Sequence, residues 1–131
     1  MGDRANFGFR IGCPDYRHTL YLYGHWAGEN MLERLANALK EAGPRWNDEA
    51  YATRIVTSQL VGDRWPYTTG WGLTLDYLCD SEHDVPVVDF EAGTVTIHAY
   101  DGHPAWAPTD ANRVESFTLD GFIQAYGPIT V

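Results

Sequence analysis

The chain has 131 residues, of which 44% are hydrophobic and 14% aromatic, and this is enough apolar material for one core. The formal net charge is −9, and residues 61–131 hold the whole excess, with eleven acids against two bases. A chain without a basic face lacks the counterion-releasing contacts that bind phosphate backbones, so direct binding to nucleic acid is not expected. We therefore expect one ordered domain over residues 1–131, outside the nucleic-acid-binding class.

The chain begins with two predicted strands. Residues 5–11 (ANFGFRI) alternate apolar and polar side chains with the period of two that a half-buried strand shows. Residues 19–25 (TLYLYGH) alternate leucines with two tyrosines and a histidine. The segment between them is rich in turn-forming residues, which predicts a hairpin.

Two helices are predicted next. Residues 29–42 place methionine, leucine and alanine at helical spacing, and Gly43-Pro44 supplies a stop. Asn47 is then the predicted N-cap of a second helix that ends near Gly62, because acids follow it in the first turn. Both helices are amphipathic, so each needs a sheet or a helix to cover its apolar side.

The remaining residues predict three strands, a loop and a short helix. Residues 69–77, 85–90 and 93–100 have strand patterns, residues 101–115 contain two prolines and are typical of a loop, and residues 118–126 form a closing helix. The order ββααβββα predicts an α+β fold, in which both long helices pack on one face of an antiparallel sheet of about five strands.

The alternation also fixes which side chains face away from the helices. Tyrosine, histidine and arginine near glycines can stack on a planar group and form hydrogen bonds to its edges. We expect Tyr21 and Tyr23 to stack on such a ligand. The predicted polar contacts are Arg4, Asn6, Arg10 and His25. A homodimer through this sheet face is an equal alternative, and a plain solvated face is a third.

Acidic residues are concentrated in residues 76–84 (DYLCDSEHD). Asp80, Glu82 and Asp84 can form an acidic contact surface for a partner protein, although a solvated turn is the more ordinary interpretation. The segment lacks the alternating acids, central glycine and distal glutamate of a calcium loop. We predict no metal at this segment.

Catalytic signatures are lacking. His25, His83 and His98 show no spacing that is typical of zinc ligands, although they could converge with Asp76 or Asp89 in the fold. The chain contains no nucleophile elbow and no glycine-rich phosphate loop. The sequence therefore favours binding over catalysis, with no cofactor.

Two residue types in loops have two interpretations each. Trp65 and Trp106 lie near prolines, where an aromatic side chain can be a ligand lid or partner anchor, or can be buried for packing. Cys13 and Cys79 lie far apart, and reduced thiols are favoured over a disulfide.

Arg4, at the start of the first strand, has two interpretations as well. It can pair with an acid such as Asp3 or Asp76 and so fix the strand end, or it can supply, with Arg10 and Arg54, a forked donor to a carboxylate or phosphate. The structural ion pair is the favoured interpretation.

Several segments together resemble a family of small uncharacterised proteins from tailed phages of actinobacteria. They are GDRAN, LYLYGHWAG, PRWNDEAYATRIV, TGWGL and VPVVDF, and the resemblance covers most of residues 1–100. It implies a phage origin and transfers no catalytic residue. Small phage accessory proteins of this kind act on the host by binding, either by sequestering a nucleotide signal of a defence system or by blocking a host protein.

The sequence and the resemblance together lead to three functional hypotheses. The first is a phage accessory protein in the host cytoplasm that sequesters a small nucleotide-like ligand and so counters host defence. The first twenty residues contain charges and no long apolar run, so we predict neither a signal peptide of the usual form nor a membrane span. The second is an acidic interaction protein that mimics nucleic acid and blocks a basic host protein. The third is a metal-dependent hydrolase that uses the histidines and the loop from Asp80 to Asp84.

Overall fold

The computed structural model describes residues 2–78 and 80–127, and these residues form six strands and three α-helices. The elements are β1 (Ala5–Cys13), β2 (Tyr16–Gly24), α1 (Met31–Glu41), α2 (Glu49–Val61), β3 (Trp71–Leu75), β4 (Val85–Asp89), β5 (Thr94–His98), β6 (Arg113–Thr118) and α3 (Leu119–Tyr126). One sheet contains all six strands, in the order β3-β2-β1-β4-β5-β6. No helix in the described ranges is long and apolar enough to cross a bilayer.

The predicted α+β class is confirmed, but the predicted architecture is wrong in three respects. The sheet has six strands rather than about five, because β6 lies where the sequence predicts the end of a loop and the approach to the last helix. β1 and β4 are parallel, whereas the other neighbouring strands are antiparallel. Finally, α3 joins α1 and α2 in covering the core, so three helices rather than two pack there.

The first two strands form the predicted hairpin. Cys13 pairs with Tyr16, which leaves Pro14 and Asp15 in the turn. Pairing continues to Ala5 opposite Gly24, and it places Phe7 opposite Leu22 on the same face. This side-by-side arrangement of large apolar residues fixes the register, because a slip of one residue would turn them to the other face.

The main hydrophobic core lies between the sheet and the helices. α1 contributes Leu35 and Leu39, both fully buried, and α2 contributes Val56. The N-cap of α2 is Asp48 rather than the predicted Asn47, since the Asp48 carboxylate accepts a hydrogen bond of 3.4 Å from the Tyr51 amide. The sheet residues in this core are Phe7, Phe9, Leu22, Val88, Val95 and Ile97.

Arg17 joins three parts of the fold. Its Nη2 atom lies 2.8 Å from Glu49 Oε1 at the start of α2 and 3.4 Å from Asp89 Oδ1 at the end of β4. Its Nη1 atom lies 3.2 Å from Glu91 Oε2 in the following turn. The hydrogen bond to Glu49 is the main reason that the pKa of Arg17 is raised above its ordinary value. Arg17 therefore holds β2, α2 and the β4–β5 turn together.

Two connecting segments cross the face of the sheet that the helices do not cover. Residues 76–78 and 80–84 lie between β3 at one edge and β4 near the centre, and Leu78 is buried on this second face. Residues 99–112 connect β5 to β6, and Trp106 is buried in the same cluster. A small second core results, which also contains Tyr21, Val85 and Val87.

Candidate functional site

Tyr21 is buried under the chain's own loop. Only 1% of its surface is exposed, and its ring centroid lies 6.5 Å from that of Trp106. The Trp106 indole N–H donates a hydrogen bond of 2.9 Å to the carbonyl of Ala99, which fixes the ring over the sheet. Burial, followed by the negative charge of Asp76, raises the pKa of Tyr21 to about 12. A stacking role for Tyr21 on a bound ligand is therefore incompatible with this conformation.

Trp106 and Trp65 have opposite environments. Trp106 is 7% exposed, so the packing interpretation is confirmed for it. Trp65 is 52% exposed and lies on the helix side of the sheet, away from Tyr21. Cys13 is an exposed free thiol, and Cys79 lies outside the described residues.

Arg4 and Asn6 are engaged by the crossing segment 76–84. The Nε atom of Arg4 lies 2.9 Å from Asp80 Oδ2 and 3.5 Å from Glu82 Oε1. The buried Asn6 side chain donates to the carbonyl of Asp80. The predicted ion pair of Arg4 is confirmed, but the predicted partners, Asp3 and Asp76, are wrong because residues 76–84 bring other acids to the start of β1.

Tyr23 and His25 lie together near one end of the second face. The Tyr23 hydroxyl lies 2.9 Å from His25 Nδ1, and the imidazole ring packs edge-on against Trp26 with centroids 4.5 Å apart. Both residues lie beside the start of β1, because Gly24 at the end of β2 pairs with Ala5. The six predicted ligand residues therefore do not form one common site.

Arg10 is the predicted ligand residue that lies in an open pocket. The cavity has a volume of about 330 Å³, and it opens on the second face between β1, β4, β5 and β6. We call it the Arg10 pocket. Its lining residues are Arg10, Val87, Asp89, Thr94, Thr96, His98, Pro108, Thr109, Asp110 and Arg113. Arg113 is not among the predicted ligand residues, because it lies at the end of the predicted loop.

The Arg10 guanidinium has no carboxylate within ion-pair distance in the described part of the chain. Its Nη1 atom donates a hydrogen bond of 2.7 Å to Thr19 Oγ1. The Thr19 amide in turn donates to Asp76 Oδ1 at 2.8 Å, and Asp76 Oδ2 lies 2.6 Å from His18 Nδ1. The Thr19 amide, followed by His18, holds the pKa of Asp76 below its ordinary value. Arg10 is therefore oriented by a hydroxyl, and Asp76 acts on its charge electrostatically from beyond ion-pair distance.

Arg113 lies on the opposite wall of the Arg10 pocket. Its Nη1 atom pairs with Asp110 at 2.8 Å, but the Asp110 side chain is 93% exposed. Such a surface ion pair contributes about 0–1 kcal/mol, so it gives way easily to a stronger anion. The other carboxylate of the pocket, Asp89, is paired with Arg17 at 3.4 Å.

His98 forms a fixed part of the pocket wall. Its Nδ1 atom lies 3.1 Å from the carbonyl of Thr109, and Nε2 lies 2.8 Å from the Thr96 hydroxyl. Because a carbonyl only accepts, Nδ1 carries a hydrogen, and in the neutral ring Nε2 accepts from Thr96. The wall thus combines two guanidinium groups, hydroxyls and an imidazole with the paired carboxylates of Asp89 and Asp110. A small polar anion that displaces Asp110 from Arg113 can bind between the guanidinium groups.

The histidines do not converge as the hydrolase hypothesis requires. His83 Nε2 lies 2.5 Å from Asp3 Oδ1, whereas His25 bonds Tyr23 and His98 bonds Thr96. Among residues 2–78 and 80–127, no group of three or more histidine, cysteine and acidic side chains could hold a metal ion. The geometry of the described residues therefore gives the metal-dependent hydrolase hypothesis no site.

Comparisons with protein-family models, with curated proteins and with solved structures find no match to this chain. The resemblance to actinobacterial phage proteins stays a prediction. The candidate site therefore depends on the geometry of the Arg10 pocket alone.

Proposed function

We propose that this protein is a phage accessory protein that sequesters a small, nucleotide-like anion in the Arg10 pocket. The observation that carries the proposal is the Arg10 guanidinium, which lies in an open cavity without a carboxylate partner among the described residues. A buried or half-buried cation without a counterion favours an anionic ligand, because the ligand restores the missing charge partner. The phage origin comes from the sequence resemblance.

The size of the pocket limits the ligand. A volume of about 330 Å³ is at the lower end of the range of about 300–1,000 Å³ for small-molecule sites. It suits one phosphate-bearing ring system and is too small for a ligand with two nucleotides. We therefore expect a mononucleotide or a compound of similar size, with its phosphate between Arg10 and Arg113.

The hydroxyls and the imidazole would set the orientation of the ligand. Thr96 and Thr109 line the pocket next to His98 and can form hydrogen bonds to a sugar or to a base edge. Val87 provides an apolar surface in the same cavity. This combination of one apolar surface and several polar groups is the usual composition of a site for a polar organic ligand.

Thermal unfolding with a panel of mononucleotides, cyclic dinucleotides and ADP-ribose tests the proposal. A ligand at a hundred times its dissociation constant stabilises the folded state by about 2.7 kcal/mol, which raises Tm by about 10 °C for a domain of this size. Arg10→Gln should remove the shift. Arg45→Gln is the matched control, because Arg45 is an exposed arginine that packs over the Tyr51 ring, away from the pocket.

The proposal fails if no compound in the panel raises Tm, or if Arg10→Gln responds like the wild type. A response to cyclic dinucleotides and not to mononucleotides would overturn the size argument while leaving a binding function in place. Isothermal calorimetry on the same variants gives the dissociation constants and separates weak binding from none.

The competing proposal is an acidic surface that blocks a basic host protein, and it relies on Asp80, Glu82 and Asp84. Arg4 already pairs with the first two, which lowers the negative charge that they offer to a partner. Neutralising all three acids tests this proposal through salt-sensitive capture of a basic nucleic-acid-binding protein. The pocket has the stronger support, because Arg10 has no ion pair among the described residues.

A further inference from the structure

β3 is an edge strand whose outer backbone groups point away from the sheet. The amide of Asp76 donates to the carbonyl of Thr19 at 2.8 Å, and the carbonyl of Gly70 accepts from His25 at 2.8 Å. Ladder bonds in an antiparallel pair alternate, so even-numbered residues of β3 bond to β2. Trp71, Leu73 and Leu75 therefore direct their N–H and C=O groups outward, and no hydrogen bond outside the sheet ladder uses these groups within residues 2–78 and 80–127.

The side chains of β3 offer no protection against pairing. Natural edge strands are usually blocked by lysine, by proline, by a bulge or by covering segments. β3 (WGLTL) has none of these residues, and Leu73 and Leu75 are 57% and 52% exposed. The opposite edge strand, β6, differs because it carries Arg113 and Glu115 and has a register irregularity against β5. Of the two edges, β3 is the one suited to pairing.

An open apolar groove continues from β3 under α2. It has a volume of about 580 Å³, and it lies on the helix side of the sheet. Leu20, Leu73 and Trp65 are among its apolar lining residues. The helices leave this end of the sheet uncovered, so the groove and the edge form one continuous apolar surface.

We infer that a second copy of this chain pairs with β3 edge to edge, so that the two sheets form one continuous sheet. A two-fold axis through Leu73 places the two Leu73 residues opposite each other, and Trp71 of each copy opposite Leu75 of the other. The outward-pointing residues then become the hydrogen-bonded pairs of an antiparallel ladder, each pair exchanging two bonds. The two apolar grooves come to lie side by side on the same face.

The area and the charge of this surface fit a second copy. Trp65, Tyr67, Leu73 and Leu75 are each more than half exposed. Together with the strand backbone they would bury about 1,000 Å² in a pair, which is the lower limit for a specific interface. Residues 62–75 contain one acid and one base, so two copies can approach here without the repulsion that the net charge of −9 causes elsewhere.

Sedimentation equilibrium over a range of protein concentrations tests the inference. The wild type should show twice the mass of one chain at high concentration. Leu73→Lys should weaken the dimer at least tenfold, because it places two lysines opposite each other on the two-fold axis. Val114→Lys is the matched control: Val114 is 54% exposed on the other edge strand, and its variant should associate like the wild type.

Amide hydrogen exchange supplies a second measurement that identifies the strand. In the wild type, the amides of Trp71, Leu73 and Leu75 should become protected as concentration rises, and Leu75→Lys should abolish this protection. The variants must first show native circular dichroism. A wild type that is monomeric at all concentrations overturns the inference and would leave the edge for a strand of another protein. A Leu73→Lys variant that dimerises normally overturns it as well.

Discussion

Replacing Trp106 by alanine should open the second core and release Tyr21. Trp106 is 7% exposed, so it removes about 230 Å² of mostly apolar surface from water, which corresponds to an upper limit of about 5–6 kcal/mol. Measured tryptophan-to-alanine losses are about 3–5 kcal/mol. Because Trp106 lies in a loop that can partly collapse into the gap, we expect a loss of about 3 kcal/mol in the free energy of unfolding.

A titration of the tyrosines makes this prediction specific to the site. Burial raises the pKa of Tyr21 to about 12 from the ordinary value of 10.0, and Trp106 is part of the cluster that buries it. In Trp106→Ala, water reaches the phenol, and the pKa of Tyr21 should fall towards 10.0. Ultraviolet absorbance of the phenolate against pH measures the shift, and urea unfolding measures the stability.

Trp46→Ala is the control for this experiment. The Trp46 indole N–H also donates to a backbone carbonyl, that of Leu39, at 2.9 Å, but the ring packs against the helix-side core. We expect this variant to lose stability while Tyr21 keeps its raised pKa. A loss of less than about 1 kcal/mol in Trp106→Ala, or an unchanged titration of Tyr21, would contradict the prediction.

Three further predictions follow from single residues. Tyr21→Phe should remove a phenol whose folded-state pKa is raised. The wild type should therefore lose more stability than the variant as pH rises from 10.0 through about 12, as urea unfolding at alkaline pH would show. Asp76→Asn should make the free energy of unfolding depend less on pH in the acid range. Because the pKa of Asp76 is lowered, its contribution to stability is present above pH 3.8 and is lost as pH falls below that value. Arg17→Gln should cost about 2 kcal/mol at neutral pH, because Glu49, Asp89 and Glu91 lose their cation, and less at acidic pH where they are protonated.

The local elements could be predicted from the sequence because their patterns are short-range. The hairpin of β1 and β2 and the helices α1 and α2 have clear periods of two and of 3.6 residues, and the structure contains all four. β6 was missed because its sequence, RVESFT, is mostly exposed and polar, as an edge strand is, so its alternation is weak. Only Val114 and Phe117 favour a strand here, and the prolines that precede them favour a loop.

The order of the strands could not be obtained from periodicity. Four of the five residues of β4 are buried, so its pattern does not show which strand lies beside it or in which direction. The parallel pairing with β1 results from the path of residues 76–84 across the second face, where the Glu82 amide donates to the carbonyl of Arg4. A long-range contact of this kind leaves no local pattern.

The same holds for the candidate site: local patterns predict the face on which a residue lies, but not the segments that cover that face. Arg10 was predicted correctly to lie on the second face, since its strand alternates regularly. The burial of Tyr21 was not predicted, because the alternation gives the face of a residue and not what covers that face. Trp106 carried a usable signal, as a large aromatic in a proline-containing loop, and its packing interpretation is the one that the structure bears out.

The Arg10 pocket and the apolar groove lie on opposite sides of the sheet. The Arg10 pocket opens on the second face over β1, β4, β5 and β6, whereas the apolar groove opens on the helix side next to β2 and β3. Pairing through β3 would therefore leave the pocket accessible in both copies. It follows that Leu73→Lys should not change the affinity of the pocket for its ligand, and that Arg10→Gln should not change the association of the chain. A loss of both properties in either variant would show that one of the two surfaces has been misassigned.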